Sequence, residues 1–334
     1  MSKIEHKQES YGIREEAIDF PMMSVLSFSY VCNALCPNCP YTNSEIRADY
    51  KDAKYMSPEV FKTIADEVGK HKAWLRISGG GEPMMHPEFL ELMQYAKAKG
   101  CKLGIITNGS MLNETLANAL LDINVEMLEF SVDADNQNDY DIVRKGLDFT
   151  KLVDNIKMVF NLRNQKDAQT KIIASAINQK GINVDEVENF WLPYVDNFQK
   201  RKYLTWGINE PENSADDTPY LPPSERIPCP FIFERLNIDS RGKIMVCGYD
   251  IEANTDMGNV KEKSIQDIWH SDEFEFYRKK HLSGCGDDIE MCKNCPDWKY
   301  RSWQHNYWKL VDNAEIKRQN GLSLEDDNGA VSIG

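Results

Sequence analysis

Three cysteines lie close together in the first part of the chain, at Cys32, Cys36 and Cys39 in the segment SYVCNALCPNC. We expect this chain to be cytoplasmic, and a reducing compartment keeps thiols free, so clustered cysteines indicate metal binding rather than disulfides. Three thiolates can hold three irons of a cubane [4Fe–4S] cluster and leave the fourth iron without a protein ligand. A zinc site or a set of reduced core thiols is the alternative.

A second set of cysteines lies in the last third of the chain, at Cys229, Cys247, Cys292 and Cys295. Four thiolates can hold one iron–sulfur cluster or one zinc ion, and the spacing does not separate the two. A fully ligated cluster has no open iron for a substrate, so we expect its role to be electron transfer.

Two cysteines and several other side chains are left over. Cys285 could donate hydrogen to a substrate, could replace a cluster ligand or could be a spare loop thiol, and Cys101 is expected to pack in the core. His86 could act as a base, with a structural histidine as the alternative. Further candidates for lining a substrate space are Trp206, Asn209, Glu210, Tyr249 and Asp250.

The elements around these residues follow from the hydrophobic pattern. Short apolar runs predict strands at 23–29, 74–78, 102–107, 127–132, 171–177 and 203–207. Between them, periodic segments predict helices at 58–70, 87–99, 114–121, 147–162 and 184–195. This alternation predicts a parallel sheet with right-handed crossovers, here an open α/β barrel of six strand–helix units. Chemistry in parallel barrels lies at the carboxyl ends of the strands, so the residues just after each strand matter most.

The pattern changes after residue 208. Residues 209–226 are rich in Pro, Asp and Glu and predict a linker. A hairpin at 236–239 and 243–247 and a helix at 264–281 then precede the last cysteines. We therefore expect an N-terminal extension at 1–21, a barrel at 22–208, a linker at 209–226, a small cluster domain at 227–311 and a polar tail at 312–334.

Five pieces in a fixed order make the chain resemble the radical S-adenosylmethionine (SAM) superfamily over nearly its whole length. The cysteine loop is followed by GGEP at 80–83, TNG at 107–109, SVD at 131–133 and an arginine at 144. The resemblance implies a partial (β/α)6 radical SAM barrel and a SAM-binding [4Fe–4S] cluster on Cys32, Cys36 and Cys39. Asn38 departs from the family, which more often has an aromatic residue there.

The same resemblance implies cofactor contacts. It predicts that the backbone of Gly80, Gly81, Glu82 and Pro83 meets the SAM amino group, since glycine leaves room for a close approach. The other implied SAM-binding residues are Thr107, Asn108, Ser131, Asp133 and Arg144, and the arginine is expected to pair with the SAM carboxylate.

The C-terminal cysteines resemble the SPASM domain in its shortened, single-cluster form, called a twitch domain. This implies a second, auxiliary [4Fe–4S] cluster and an arrangement like that of 2-deoxy-scyllo-inosamine dehydrogenase-like enzymes. The implied reaction begins when a 5′-deoxyadenosyl radical removes hydrogen from a sugar, aminocyclitol or nucleotide-sugar. A two-electron oxidation with the auxiliary cluster as electron acceptor is preferred. The alternatives are a carbohydrate epimerase, a maturase of peptide or protein side chains, and a non-catalytic electron-transfer or metal-scaffold protein that has lost SAM cleavage.

Composition limits the partners. The hydrophobic and charged fractions, 41% and 28%, are those of a soluble globular protein. A net charge of −14 repels a polyanion, so we expect no nucleic-acid partner. No apolar run approaches the roughly 18 residues needed to span a bilayer, so we expect no membrane association. The family resemblance adds an electron donor such as flavodoxin or ferredoxin.

Overall fold

The computed structural model describes residues 15–206, 211–216, 226–293, 295 and 297–298. Its strands are β1 Met23–Ser29, β2 Trp74–Gly80, β3 Lys102–Thr107, β4 Met127–Ser131, β5 Lys171–Asn178, β6 Asn197–Lys202, β7 Arg235–Ile238 and β8 Ile244–Met245. The helices between β1 and β6 are α2 Ser44–Asp49, α3 Pro58–Lys70, α4 Phe89–Ala98, α5 Glu114–Asp122, α6 Gln137–Val143, α7 Phe149–Gln165 and α8 Val184–Trp191. Outside that region lie α1 Glu16–Asp19, α9 Phe231–Glu234, α10 Ile265–Trp269, α11 Asp272–Leu282 and α12 Glu290–Lys293. None of these described helices is long and apolar enough to cross a membrane.

The strands form one sheet in the order β6-β5-β4-β3-β2-β1-β7-β8. β1 to β7 pair in parallel, and β8 pairs antiparallel with β7. Strand–helix units that pair in sequence order give the expected α/β partial barrel. The predicted hairpin exists, but its first strand pairs with β1, so the C-terminal module extends the barrel sheet.

Helix α3 shows how local sequence sets these elements. The Ser57 side chain accepts a hydrogen bond from the amide of Val60, and Pro58 occupies the first turn, where it loses no helical bond. Apolar residues at helical spacing, such as Phe61 and Ile64, are fully buried against the sheet. The predicted and observed limits of this helix therefore agree.

Two predicted elements are wrong. The sixth strand is Asn197–Lys202, not 203–207, because it is the edge strand of the sheet and its sequence NFQKRK is largely polar. The helix predicted at 264–281 is two helices, since Ser271 caps a new helix through the amide of Phe274.

Candidate functional site

The loop that carries Cys32, Cys36 and Cys39 leaves the carboxyl end of β1, as predicted. All three thiols are free; Cys36 is buried and the other two are half-buried. A turn joins the Cys39 amide to the Cys36 carbonyl at 3.2 Å. Burial raises the pKa of the Cys39 thiol to about 11, so the thiolates needed for metal binding must form as the metal binds.

The TNG motif holds this loop in place. The Asn108 side chain donates to Asn33 of the loop at 3.0 Å, and Asn33 donates to Ser110 at 2.8 Å. Asn108 also accepts hydrogen bonds from the backbone and hydroxyl of Ser110. These amides therefore orient the cysteine loop, a role that the sequence did not indicate.

The two glycines of GGEP lie against the cysteine loop itself. A Cβ on Gly80 would come within 2.6 Å of the Ser29 carbonyl oxygen, and one on Gly81 within 2.3 Å of the Val31 carbonyl oxygen. Gly80 also has a φ of 72°, which favours glycine. The chain that leads into Cys32 therefore occupies the side on which a Cβ would stand at both glycines, and the contact of their backbone with SAM stays a prediction.

Glu82 joins the ends of β2 and β3. One carboxylate oxygen accepts from the Thr107 hydroxyl at 2.7 Å, and the other accepts from the Asn108 amide at 2.8 Å. Pro83 begins a short 3₁₀ turn whose Met84 amide also donates to this carboxylate. Burial raises the pKa of Glu82, and these donors act against that rise. The side chains of Glu82 and Thr107 thus serve the fold of the site.

Arg144 is brought to the cysteine loop by Asp133. Its guanidinium lies 2.5 Å from one Asp133 oxygen and donates to Cys36 Sγ at 3.8 Å. The other Asp133 oxygen accepts from the Ile177 amide at 2.7 Å. Burial alone would lower the pKa of Arg144. Asp133 and Cys36 outweigh burial and raise that pKa, so Arg144 stays protonated. Ser131 is the last residue of β4, two residues before Asp133, and it is in register with Ser175 of β5.

The four C-terminal cysteines line one cleft. The pKa of the Cys292 thiol is raised, and burial is the largest cause. The neighbouring thiols of Cys247, Cys229 and Cys295 raise it further. The structure therefore brings together all four residues that the sequence grouped.

His281 is a member of this site that the sequence did not reveal. Its Nδ1 accepts from the Cys229 amide at 3.2 Å, so the ring proton lies on Nε2, which faces Cys292 Sγ at 3.4 Å. Burial lowers the pKa of His281 to about 4, so the ring is a neutral donor to the sulfur. Trp298 tilts over the ring at 4.7 Å between centroids. The only sequence signal was a histidine at the end of the helix before Cys292.

The cysteine cleft is tied to the end of β6. Asp297, two residues after Cys295, accepts hydrogen bonds from the amide and hydroxyl of Thr205 at 3.1–3.3 Å. Trp206 has a φ of 53° and packs against Tyr249 of the cleft, with ring centroids 5.0 Å apart. Asn209 and Glu210 lie outside the described residues.

The remaining candidates do not line the four-cysteine cleft, and any catalytic role for them stays a prediction. Cys285 is exposed and does not line the cleft. His86 stacks on Phe28, and its Nε2 contacts the Met56 carbonyl at 2.8 Å, as expected of a structural histidine. The buried Cys101 packs in the core, as expected. Asp250 is buried and accepts from the Asn254 and Thr255 amides, so it shapes its own loop.

Both cysteine sets fit iron–sulfur clusters. The four C-terminal thiols line one cleft, so they can supply all the ligands of a single cluster. The three thiols of the N-terminal loop, which lie beside Arg144, would leave one iron of a cluster open to a ligand that is not part of the protein. The fold and the two sites define an iron–sulfur enzyme built on a partial parallel barrel.

Comparison with known families agrees. Residues 26–190 match the radical SAM superfamily, and residues 229–296 match the SPASM iron–sulfur cluster-binding domain. The chain belongs to the radical SAM superfamily and carries a C-terminal SPASM domain. Its cofactors are a SAM-binding [4Fe–4S] cluster, SAM and an auxiliary iron–sulfur cluster.

The chain is similar to several characterised proteins at low identity. It is 27% identical to the mycofactocin maturase MftC of Mycolicibacterium smegmatis over 53% of this chain, which spans only 42% of that relative. It is 23% identical to the S-adenosyl-L-methionine-dependent 2-deoxy-scyllo-inosamine dehydrogenase of Niallia circulans, over 79% of this chain and 88% of the relative. The crystal structure of Streptococcus suis SuiB bound to the precursor peptide SuiA has the same fold. Its TM-score is 0.63 at 15% identity, over 93% of this chain and 76% of SuiB.

Proposed function

We propose that this enzyme removes hydrogen from an unactivated C–H bond of a small polar metabolite and completes a two-electron oxidation. The substrate class is a sugar, an aminocyclitol or a nucleotide-linked sugar. When bound, the SAM-binding cluster and SAM supply the 5′-deoxyadenosyl radical, and the auxiliary cluster supplies a one-electron acceptor. The substrate loses one hydrogen atom to the radical, then one proton and one electron, so the balance is that of a dehydrogenation.

The observation that carries this proposal is the position of the four-cysteine cleft. Four cysteines leave no open position on a cluster, which suits electron transfer rather than substrate binding. The cleft contacts the end of β6 through Asp297 and Tyr249, at the edge of the barrel where substrates bind in this architecture. The dehydrogenase relative, which this chain matches over most of its length, supports the same reaction class.

The roles of individual residues follow from the contacts above. Cys32, Cys36 and Cys39 would hold the SAM-binding cluster, and Arg144, fixed by Asp133, would pair with the SAM carboxylate. The GGEP backbone would meet the SAM amino group. We keep the domain limits 1–21, 22–208, 209–226, 227–311 and 312–334, with strand β7 shared between barrel and cluster domain. Flavodoxin or ferredoxin would supply the electron that starts the reaction.

The experiment follows 5′-deoxyadenosine and product together. The anaerobically reconstituted enzyme is incubated with SAM, dithionite and a metabolite extract in deuterium oxide. Oxidation predicts a product that has lost two hydrogens and carries no new carbon-bound deuterium. An epimerase would leave the mass formula unchanged and place one deuterium on carbon. A peptide substrate, which the maturase relative and the SuiB fold suggest, would give no small-molecule product at all.

A further inference from the structure

The lumen of the barrel is polar at the level just below the candidate SAM contacts. Along β4, Leu128 and Phe130 belong to the core between sheet and helices, while Met127 belongs to a separate cluster on the opposite face. Side chains alternate along a strand, so Glu129 and Ser131 face the lumen together with Met127. Strands buried on both faces are expected to be apolar, so a fully buried glutamate here requires an explanation.

An apolar floor closes the lumen beneath Glu129. It consists of Met23, Trp74, Met127 and Ile173. Ser131 lies two residues beyond Glu129, or about 7 Å along the strand, at the level where the SAM contacts begin. A group bound beside Glu129 would therefore lie between the floor and the cofactor.

Two arginines from other strands converge on Glu129. Arg201 of β6 donates to one carboxylate oxygen through both Nε, at 3.0 Å, and Nη2. Arg76 of β2 donates to the other oxygen at 3.5 Å. Burial would raise the pKa of Glu129, but the two guanidinium groups outweigh burial and lower it, so Glu129 is ionised at neutral pH. The three side chains together carry a charge of +1.

Arg201 is the member of this group that a ligand can reach. About 31% of its side chain is exposed, against 12% for Arg76 and none for Glu129. Within the described residues, Arg201 Nη1 has no hydrogen-bond partner, whereas both oxygens of Glu129 are already bonded. The chain has a net charge of −14, so this half-buried cation is not part of a general basic surface.

Two amides on neighbouring strands present unused polar atoms to the same lumen. Asn237 of β7 is in register with Val25 of β1, which faces the floor cluster. Its Nδ2 is buried and has no hydrogen-bond partner among the described residues, and only 7% of the residue is exposed. Gln199 is in register with Ser175, and its buried Oε1 also has no partner in the part of the chain that the structure describes. Buried polar atoms of this kind are normally satisfied, so both atoms are available to bond a polar ligand.

We propose that the lumen binds an anionic group of the substrate, a carboxylate or a phosphate, at Arg201. Glu129 and Arg76 hold the guanidinium in place, and Asn237 and Gln199 bond to the rest of the polar substrate. This inference rests on the proposed function and narrows its substrate to an anionic metabolite. A guanidinium with a free edge suits both carboxylate and phosphate oxygens.

The test separates a metabolite extract on an anion-exchange resin at pH 7. The retained and unretained fractions are each added to the reconstituted holoenzyme, and 5′-deoxyadenosine release is measured. We expect the retained fraction alone to stimulate release. Prior treatment with alkaline phosphatase abolishes the effect if the group is a phosphate and leaves it if the group is a carboxylate. Stimulation by the unretained fraction alone would overturn the inference while leaving the proposed oxidation intact.

Two further outcomes concern the proposed function itself. Steady SAM cleavage that no fraction stimulates would refute a small-metabolite substrate and this inference with it. An enzyme that cleaves no SAM under any condition would refute the proposed function.

Variants locate the effect at Arg201. Arg201→Gln is expected to raise the KM for the retained fraction about tenfold or more, with a smaller change in kcat. Arg201→Lys keeps the positive charge, so its KM should lie between those of wild type and Arg201→Gln. The matched control is Lys200→Gln, because Lys200 adjoins Arg201 but bonds Asp185 and Glu188. The control should stay within about twofold of wild type.

A double variant distinguishes the loss of the ligand contact from misfolding. Arg201→Gln with Glu129→Gln removes the buried carboxylate together with Arg201, so the loss of Arg201 leaves no carboxylate that has lost its main partner, and Arg76 keeps its charge. It should fold, hold wild-type iron and still show the raised KM. A wild-type KM in either the single or the double variant would overturn the assignment.

Discussion

Replacing Gly81 by alanine should damage the SAM-binding cluster rather than SAM binding alone. The new Cβ would lie 2.3 Å from the Val31 carbonyl oxygen, and ordinary contact begins at 3.4 Å. Val31 must therefore retreat by about 1 Å, which strains the hydrogen bond from the Glu82 amide to the same oxygen, now 2.9 Å long. Val31 immediately precedes Cys32, so the displacement reaches the first cluster ligand.

The cost follows from these two contacts. Overpacking of this size costs about 1–3 kcal/mol, and the strained hydrogen bond about 1 kcal/mol more. We expect Gly81→Ala to lose about 2–4 kcal/mol of apoprotein stability. Its iron after anaerobic reconstitution should fall from about eight atoms per chain toward about four, because three thiolates must face one cluster.

The assay combines iron and sulfide analysis with urea unfolding of the apoprotein. The control is Gly181→Ala, whose φ of 84° strains an alanine by about 1–2 kcal/mol, but which has nothing within 4 Å of the added Cβ. It should lose stability and keep about eight irons. A Gly81→Ala enzyme with full iron and wild-type SAM affinity would refute the reasoning about this contact.

Three other predictions concern the remaining sites. Cys285→Ala should leave turnover largely intact, whereas Cys292→Ala should abolish product while 5′-deoxyadenosine still forms; loss of activity in Cys285→Ala, with carbon-bound deuterium in the wild-type product, would favour epimerisation. His281→Ala should release auxiliary-cluster iron to a chelator about tenfold faster or more, because it removes the donor to the Cys292 sulfur; unchanged release would mean that the ring only fills space. Glu129→Gln should cost about 3–5 kcal/mol at pH 7 in urea unfolding of the apoprotein. The folded pKa of Glu129 lies below its ordinary value of 4.5. The difference in the free energy of unfolding between wild type and Glu129→Gln should therefore persist above pH 4.5 and shrink as the pH falls through the folded pKa. A difference that grows on acidification would contradict the ion pairing of Glu129 with Arg76 and Arg201.

The sequence predicted those parts of the molecule that depend on local pattern. The strands before the cysteine loop and before TNG begin and end where predicted, because their apolar runs are bounded by turn residues. Cys229 and Cys247 were grouped correctly with Cys292 and Cys295, since few functions other than metal binding require cysteines at such spacing.

What the sequence missed depends on contacts between distant segments. β6 is polar because its lumen side carries Gln199 and Arg201, so no apolar run marked it. The place of Gly81 against Val31 and of His281 against Cys292 requires the folded chain. Site residues whose partners lie far away in sequence carry no periodic signal.

The central claim is that one cysteine set drives SAM cleavage and the other holds a second cluster. The most direct measurement is the iron content and 5′-deoxyadenosine release of wild type and of a variant with Cys32, Cys36 and Cys39 all replaced by alanine. The wild type should hold about eight irons and release 5′-deoxyadenosine, and the variant should hold about four and release none. Zinc without iron in the anaerobically purified wild type, or 5′-deoxyadenosine from the variant, would contradict the account.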